Sequence, residues 1–192
     1  MAEWEDREII NQVLQGNSQL FTLLVEKYQK SIFNYVFRLV RQRQEAEDLA
    51  QETFVKAFFA LPQYDNSYQF STWIFRIALN LCRDYFRKKK LPFLSLHEPI
   101  GDDENGELED MIEQQAFLDP DGEILNQELR TKLEKAIDQL PLKFKEVVIL
   151  RHLENLSYEE IAQVTGLPIG TVKTYLHRAR KALRKELRKY LD

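Results

Sequence analysis

"LSYEEIAQVTGLPIGTVKTYLHRARKALRKEL", residues Leu156–Leu187, has the pattern of two helices meeting at a tight turn. Ser157 and Glu160 stand in capping-box spacing, which marks a helix start. Ala162 is small where crossing helices need close approach, and Gly166 suits the left-handed backbone of a turn. Pro168 precedes a second helix whose apolar side is Val172, Leu176, Ala179, Leu183 and Leu187. Contacts from Ile161 and Ala162 to Val172 would lock the pair as a helix-turn-helix.

The other side of the second helix offers Lys173, Thr174, His177, Arg178, Lys181, Arg184, Lys185 and Arg188, with Glu186 the only acid between Pro168 and Tyr190. A helix with a solvated basic face would explain the charge alone. Charge, turn glycine and small residue agree, so the pattern predicts DNA binding: early residues read base edges and later ones hold phosphates. Gly170 and Thr171 leave the helix N-terminus open to a phosphate. His177 is a candidate contact on this face and not a metal ligand.

Farther toward the N-terminus, "FSTWIFRIALNLCRDYFRKKK", Phe70–Lys90, is also amphipathic. Ile74, Ile77, Ala78, Leu81, Cys82, Tyr85 and Phe86 make its apolar face, while Trp73, Arg76, Asn80, Arg83 and Arg87 fall in one narrow arc opposite. Asp84 is the only acid there. Before it, helical repeats run from about Glu5 to Gln15, Leu20 to Arg41 and Ala46 to Leu61, with Asn17 or Ser18 as a cap and Pro62 as a stop. "PQYDNSYQ" is a polar, aromatic-bearing loop. With six glycines and few alternating β-branched residues, the chain is predicted to be all-α.

The 192 residues carry a formal net charge of −4, unevenly distributed. No Lys or Arg lies between Lys90 and Arg130, a gap holding 12 acids; the rest has 27 bases against 19 acids. This asymmetry removes the objection that an acidic total raises against nucleic-acid binding. The pattern predicts two small helical domains, 1–90 and 120–192, joined by a flexible acidic linker, 91–119. A helical repeat resumes after Pro120, breaks at Pro141 and continues in "LKFKEVVILRHLEN". No apolar run approaches the roughly 20 residues that span a bilayer, and the acidic N-terminus is unlike a secretory signal, so a cytoplasmic protein without membrane insertion is expected. Cys82 is the only cysteine and sits on an apolar face, as a small hydrophobe does. No glycine-rich nucleotide loop, metal-spaced histidines or nucleophile–base pair is visible, so no cofactor, metal or catalytic residue is expected.

"LSYEEIAQVTGLPIGTVKTYLHRARKAL" resembles the fourth region of bacterial sigma factors of the extracytoplasmic-function (ECF) group, within the sigma-70 family. "EAEDLAQETFVKAF" followed by "FSTWIFRIALNLCRDYFRKK" resembles their second region, in the same order and separation. The resemblance implies a subunit that directs RNA polymerase to promoters and has no enzymatic activity. It implies reading of the −35 duplex by Gly170, Thr171, Lys173, Thr174, His177 and Arg178. It implies melting and holding of the −10 non-template strand by Tyr64, Phe70, Ser71, Trp73, Arg76, Asn80, Arg83 and Arg87, the loop Tyr64–Phe70 forming a pocket for an extruded base. Asp48, Leu49, Gln51, Glu52 and Phe54 would dock on the polymerase core. The implied partners are the β′ clamp helices and β flap of that core, promoter DNA and an anti-sigma factor. A stand-alone helix-turn-helix regulator explains only the C-terminal half. A helical nuclease would need carboxylates clustered for metal, and the acids here gather in the linker.

Overall fold

The computed structural model describes residues 5–89 and 125–188, and side chains in the second span from 131 onward. The acidic linker 91–119 lies outside the described residues, as do Lys90 and Tyr190. The described residues form eight α-helices and no strand.

Helix α1 (Asp6–Leu14) begins where the Glu8 carboxylate accepts the Glu5 N–H at 3.3 Å, and it ends before Gly16 at φ 109°. A 3-10 turn, Ser18–Leu20, then leads into α2 (Phe21–Val40). The expected side-chain cap from Asn17 or Ser18 does not form. The turn supplies backbone pairing instead, and the Asn17 amide donates to Gln12 Oε1 at 2.7 Å. Helix α3 (Arg43–Ala60) ends in a second 3-10 turn, Leu61–Gln63, in which Pro62 needs no donor. Helix α4 (Phe70–Lys88) carries Ile74, Ala78, Leu79 and Cys82 into the core beside Leu24, Ile32, Tyr35 and Val36 of α2. Burial, reinforced by nearby Glu146, pushes the Cys82 thiol up to about 12, which leaves it an inert hydrophobe.

In the C-terminal half, α5 (Leu125–Asp138) and α6 (Leu142–His152) precede the helix-turn-helix of α7 (Tyr158–Thr165) and α8 (Ile169–Arg188). Val147, Val148, Ile149 and Leu150 of α6 meet Ile161 of α7 and Val172, Leu176 and Ala179 of α8 in the interior. The two halves are not separate beads. Helix α4 packs on α7 and α2 on α6, so one contiguous apolar cluster runs through both.

Candidate nucleic-acid interface

The turn of the helix-turn-helix is built as its residues dictate. Ser157 Oγ accepts the Glu160 N–H at 3.2 Å, and Glu160 Oε2 accepts the Ser157 N–H at 2.8 Å. Gly166 adopts φ 74°, where a side chain would strain the backbone. Thr165, buried, turns its hydroxyl onto the Ile161 carbonyl at 2.7 Å. Helix α8 is thereby held by its apolar side, with Val172, Leu176, Ala179 and Leu183 buried and Leu187 half-buried.

Its opposite side keeps the predicted readers accessible. Gly170 and Lys173 are exposed, while Thr171, Thr174, His177 and Arg178 are half-buried. A Cβ at Gly170 would meet nothing within 4 Å, so a phosphate can approach the helix start closely. The Thr174 hydroxyl donates back to the Gly170 carbonyl at 2.8 Å, which leaves its methyl group the freer part. Ile169 is 41% exposed in this first turn. Sequence reading missed it, although it stands outside the buried repeat that starts at Val172.

On α4 the predicted stripe divides. Phe70 is only 2% exposed, and its ring sits among Tyr28, Tyr64 and Trp73 at centroid separations of 5.5, 5.8 and 5.6 Å. A ring so placed supports the cluster and offers no face to a base. Trp73 and Tyr64 are half-buried, 5.1 Å apart, and sit at the solvent edge of that cluster; burial raises the Tyr64 phenol above its ordinary value. Ser71 is half-buried, its hydroxyl 3.4 Å from Gln69 Oε1. Arg76, Asn80 and Arg87 are exposed, Arg87 being paired with Asp84 at 2.8 Å. Asn80 also lines a groove of about 500 Å³ between α3 and α4, with Lys56, Phe59, Ile77 and Leu81.

Arg83 turns the other way. Its guanidinium grips Glu146 of α6 through Nε and Nη2 at 3.2 and 2.8 Å, and Nη1 donates to the Thr165 carbonyl at 3.1 Å. The Glu146 side chain is 3% exposed. Desolvation raises its carboxyl pKa, opposed by the hydrogen bonds and charge of Arg83. Sequence reading missed Glu146. The available signal was a charged residue beside the unbroken apolar run Val147–Leu150, where a solvated position is hard to place.

The candidate docking helix, α3, is also sorted by exposure. Asp48, Gln51 and Glu52 face solvent, with Glu52 3.2 Å from Lys56. Leu49 and Phe54 are each 8% exposed and serve the core. Val55 and Phe59, 54% and 76% exposed, extend the accessible face and were not anticipated.

Glu154, just beyond α6, has its carboxyl pushed up to about 7 by burial against Arg38 of α2, which pulls the other way. A carboxyl raised in the folded state favours folding while protonated and loses that contribution as pH rises through 7. Glu154→Gln should therefore raise the melting temperature by a few degrees at pH 8 and change it little at pH 4, below the ordinary glutamate value of 4.5. Melting curves at the two pH values check this; equal shifts would mean that proton uptake at Glu154 is not coupled to folding.

Among the described residues no group of His, Cys, Asp and Glu could hold a metal ion, and no helix is long and apolar enough to cross a membrane. Comparison with known families matches residues 24–91 to Sigma-70 region 2 and residues 130–183 to Sigma-70 region 4. The chain is 37% identical over 179 residues to the ECF RNA polymerase sigma factor SigW of Bacillus subtilis, covering 93% of this chain and 95% of that one. It is 33% identical over 195 residues to the RNA polymerase sigma-H factor of Pseudomonas aeruginosa, covering 100% and 98%. Its fold is similar to CnrH in complex with the cytosolic domain of CnrY (TM-score 0.67, 24% identity, 96% and 97% covered). It is also similar to RpoE in complex with the anti-sigma factor NepR from Bartonella quintana (TM-score 0.60, 23% identity, 88% and 96% covered).

Proposed function

The chain belongs to the ECF group of sigma-70-family RNA polymerase sigma factors, and from that premise we propose how its residues divide the work of promoter recognition. It is a promoter-specificity subunit that initiates transcription with RNA polymerase. The observation that carries this is the pairing, on one chain and in order, of region 2 at 24–91 with region 4 at 130–183. A stand-alone regulator needs only the second.

In our reading the N-terminal domain, 1–90, opens the −10 element and docks on the polymerase core, and the C-terminal domain, 120–192, reads the −35 duplex. Gly170 and Thr171 receive a phosphate at the start of α8, and Lys173, Thr174, His177 and Arg178 face the bases. Tyr64, Trp73, Arg76 and Asn80 hold the melted strand, with Phe70 behind them and Ser71, Arg83 and Arg87 flanking. The protein acts in the cytoplasm and has no chemistry of its own. The complexes of CnrH and RpoE support a further partner for this chain, an anti-sigma factor.

Two measurements test the assignment. Arg178→Ala should cost roughly 1–3 kcal/mol at one base position of the −35 duplex if Arg178 pairs with a guanine edge, whereas Arg188→Ala should weaken all sequences alike and flatten the salt dependence. Equal losses on cognate and scrambled duplexes for both variants would remove Arg178 from base reading. Asn80→Ala should leave core and −35 binding nearly unchanged but lower transcription from closed promoters, because an extruded base costs a few kcal/mol to hold. A template mismatched across the −10 region should restore part of the activity. If permanganate reactivity of −10 thymines is as strong with the variant as with the parent, Asn80 does not support opening.

A further inference from the structure

The loop between the second 3-10 turn and α4 carries Asp65, Asn66, Ser67 and Tyr68, all exposed. Three bonds shape it from within. The Ser67 N–H donates to Asp65 Oδ1 at 2.9 Å, the Tyr68 N–H to the Asp65 carbonyl at 3.2 Å, and the Tyr64 hydroxyl to the Tyr68 carbonyl. A fourth comes from outside: Arg7 Nη2, on the first turn of α1, donates to the Asn66 carbonyl at 2.8 Å across 59 residues of sequence. Among the described residues, no other side chain from outside the loop bonds residues 65–68. That first turn of α1 is itself fixed. Ile9, Ile10 and Val13 are buried, and the two oxygens of Asp6 accept Lys27 Nζ at 2.7 Å and the Tyr28 hydroxyl. Burial, and then the Asp6 hydrogen bond, hold the Tyr28 phenol well above its ordinary value, so it stays a donor. The Tyr28 ring in turn lies 5.5 Å from Phe70, where the loop enters α4. The span matched to region 2 begins at residue 24, so α1 lies outside it. We propose that Arg7 is a positioning residue for promoter opening: it holds the backbone of the Tyr64–Phe70 loop in the shape that receives an extruded −10 base.

The atom that Arg7 binds decides its role. A bond to main chain fixes where the loop lies and leaves the exposed Asn66 and Tyr68 side chains to meet DNA. A loop without that tie has to be ordered by the base it receives, and the lost entropy is subtracted from binding. The net worth of one hydrogen bond corresponds to about three- to tenfold in an equilibrium constant. A phosphate contact is the competing role, since Arg7 is exposed. Its surroundings disfavour that role. Glu5, Asp6 and Glu8 flank Arg7 on α1, and Asp65 lies in the loop it binds. Carboxylates on both segments oppose a phosphate backbone.

The inference rests on the proposed holding of the melted −10 strand at this loop, and one experiment separates the two. Polymerase holoenzyme assembled with the parent chain binds a promoter template mismatched across −10, with single abasic sites placed in turn along its non-template strand. One abasic position should weaken parent binding by about tenfold or more and so mark the extruded base. Arg7→Ala should bind the intact template about three- to tenfold more weakly than the parent, yet bind the template abasic at that position equally well. Arg7→Lys, which can still donate to the Asn66 carbonyl, should recover most of the loss. Melting temperature, capture of core polymerase and −35 duplex binding should stay at parent values, because the Arg7 side chain enters no core. An Arg7→Ala holoenzyme that binds both templates as the parent does overturns the positioning role alone. Equal losses on intact and abasic templates assign Arg7 to a phosphate and overturn it too, as does a fall in melting temperature that accounts for the weaker binding. A parent indifferent to every abasic site overturns the extruded-base reading itself, and the positioning role with it.

Discussion

Phe70→Ala should destabilise the N-terminal half by about 3–5 kcal/mol, the range for removing a buried aromatic ring. The ring is 2% exposed and touches Tyr28, Tyr64 and Trp73, so its loss leaves a cavity bounded by three aromatics and the start of α4. Transcription should then fall at every promoter, in step with loss of folded protein. Trp73→Ala should behave differently. Its ring is half-buried, so stability should fall less, while promoter opening should fall more than folding explains because a stacking surface worth about 1–3 kcal/mol per base is gone. Thermal denaturation followed by circular dichroism, with permanganate footprinting at a temperature where both variants are folded, separates the two. If Phe70→Ala melts with the parent but fails to open DNA, Phe70 contacts a base and the closed aromatic cluster is not its working state.

The contrast between these neighbours shows how far periodicity carries. Phe70 lies four residues before Ile74 and belongs to the apolar repeat of α4; Trp73 lies at its edge. The pattern therefore contained the distinction, and the family resemblance, which places both by their aromatic character, obscured it. Leu49 and Phe54 repeat the lesson on α3, where they follow the same apolar repeat as Ala46, Ala50 and Ala57 and are buried with them. Helix boundaries and the helix-turn-helix were legible because spacing, caps and a left-handed glycine are local properties. The Arg83–Glu146 pair was not, since its partners are 63 residues apart and nothing local distinguishes an arginine aimed at DNA from one aimed at a carboxylate. Side chains on one arc of α4 thus divide between two surroundings: Asn80 borders the α3–α4 groove, and Arg83 crosses to the other domain.

Asp48→Arg with Glu52→Arg should reduce capture of core polymerase by about 100-fold or more, since opposing like charges at an interface costs several kcal/mol and each 1.4 kcal/mol is tenfold. Both residues are exposed on α3, one turn apart, and carry the acidic character a basic partner helix would meet. The fold should survive. Neither side chain enters the core, and the new repulsion between position 52 and Lys56, at i and i+4, costs only about 0.2–0.5 kcal/mol. Phe59→Ala adds an independent arm. At 76% exposed on the next turn, the ring contributes little to stability, yet it stands beside Lys56 where a docked helix would cover it. Its removal should weaken capture without lowering the melting temperature. Leu49→Asp supplies the opposite control, because burying a carboxylate in place of that side chain should unfold α3 and abolish capture for a reason unrelated to docking. Pull-down of core enzyme, read beside circular dichroism for each variant, distinguishes these outcomes. A charge-reversed chain that stays helical and still captures core polymerase as the parent does would place the docking surface off this face of α3.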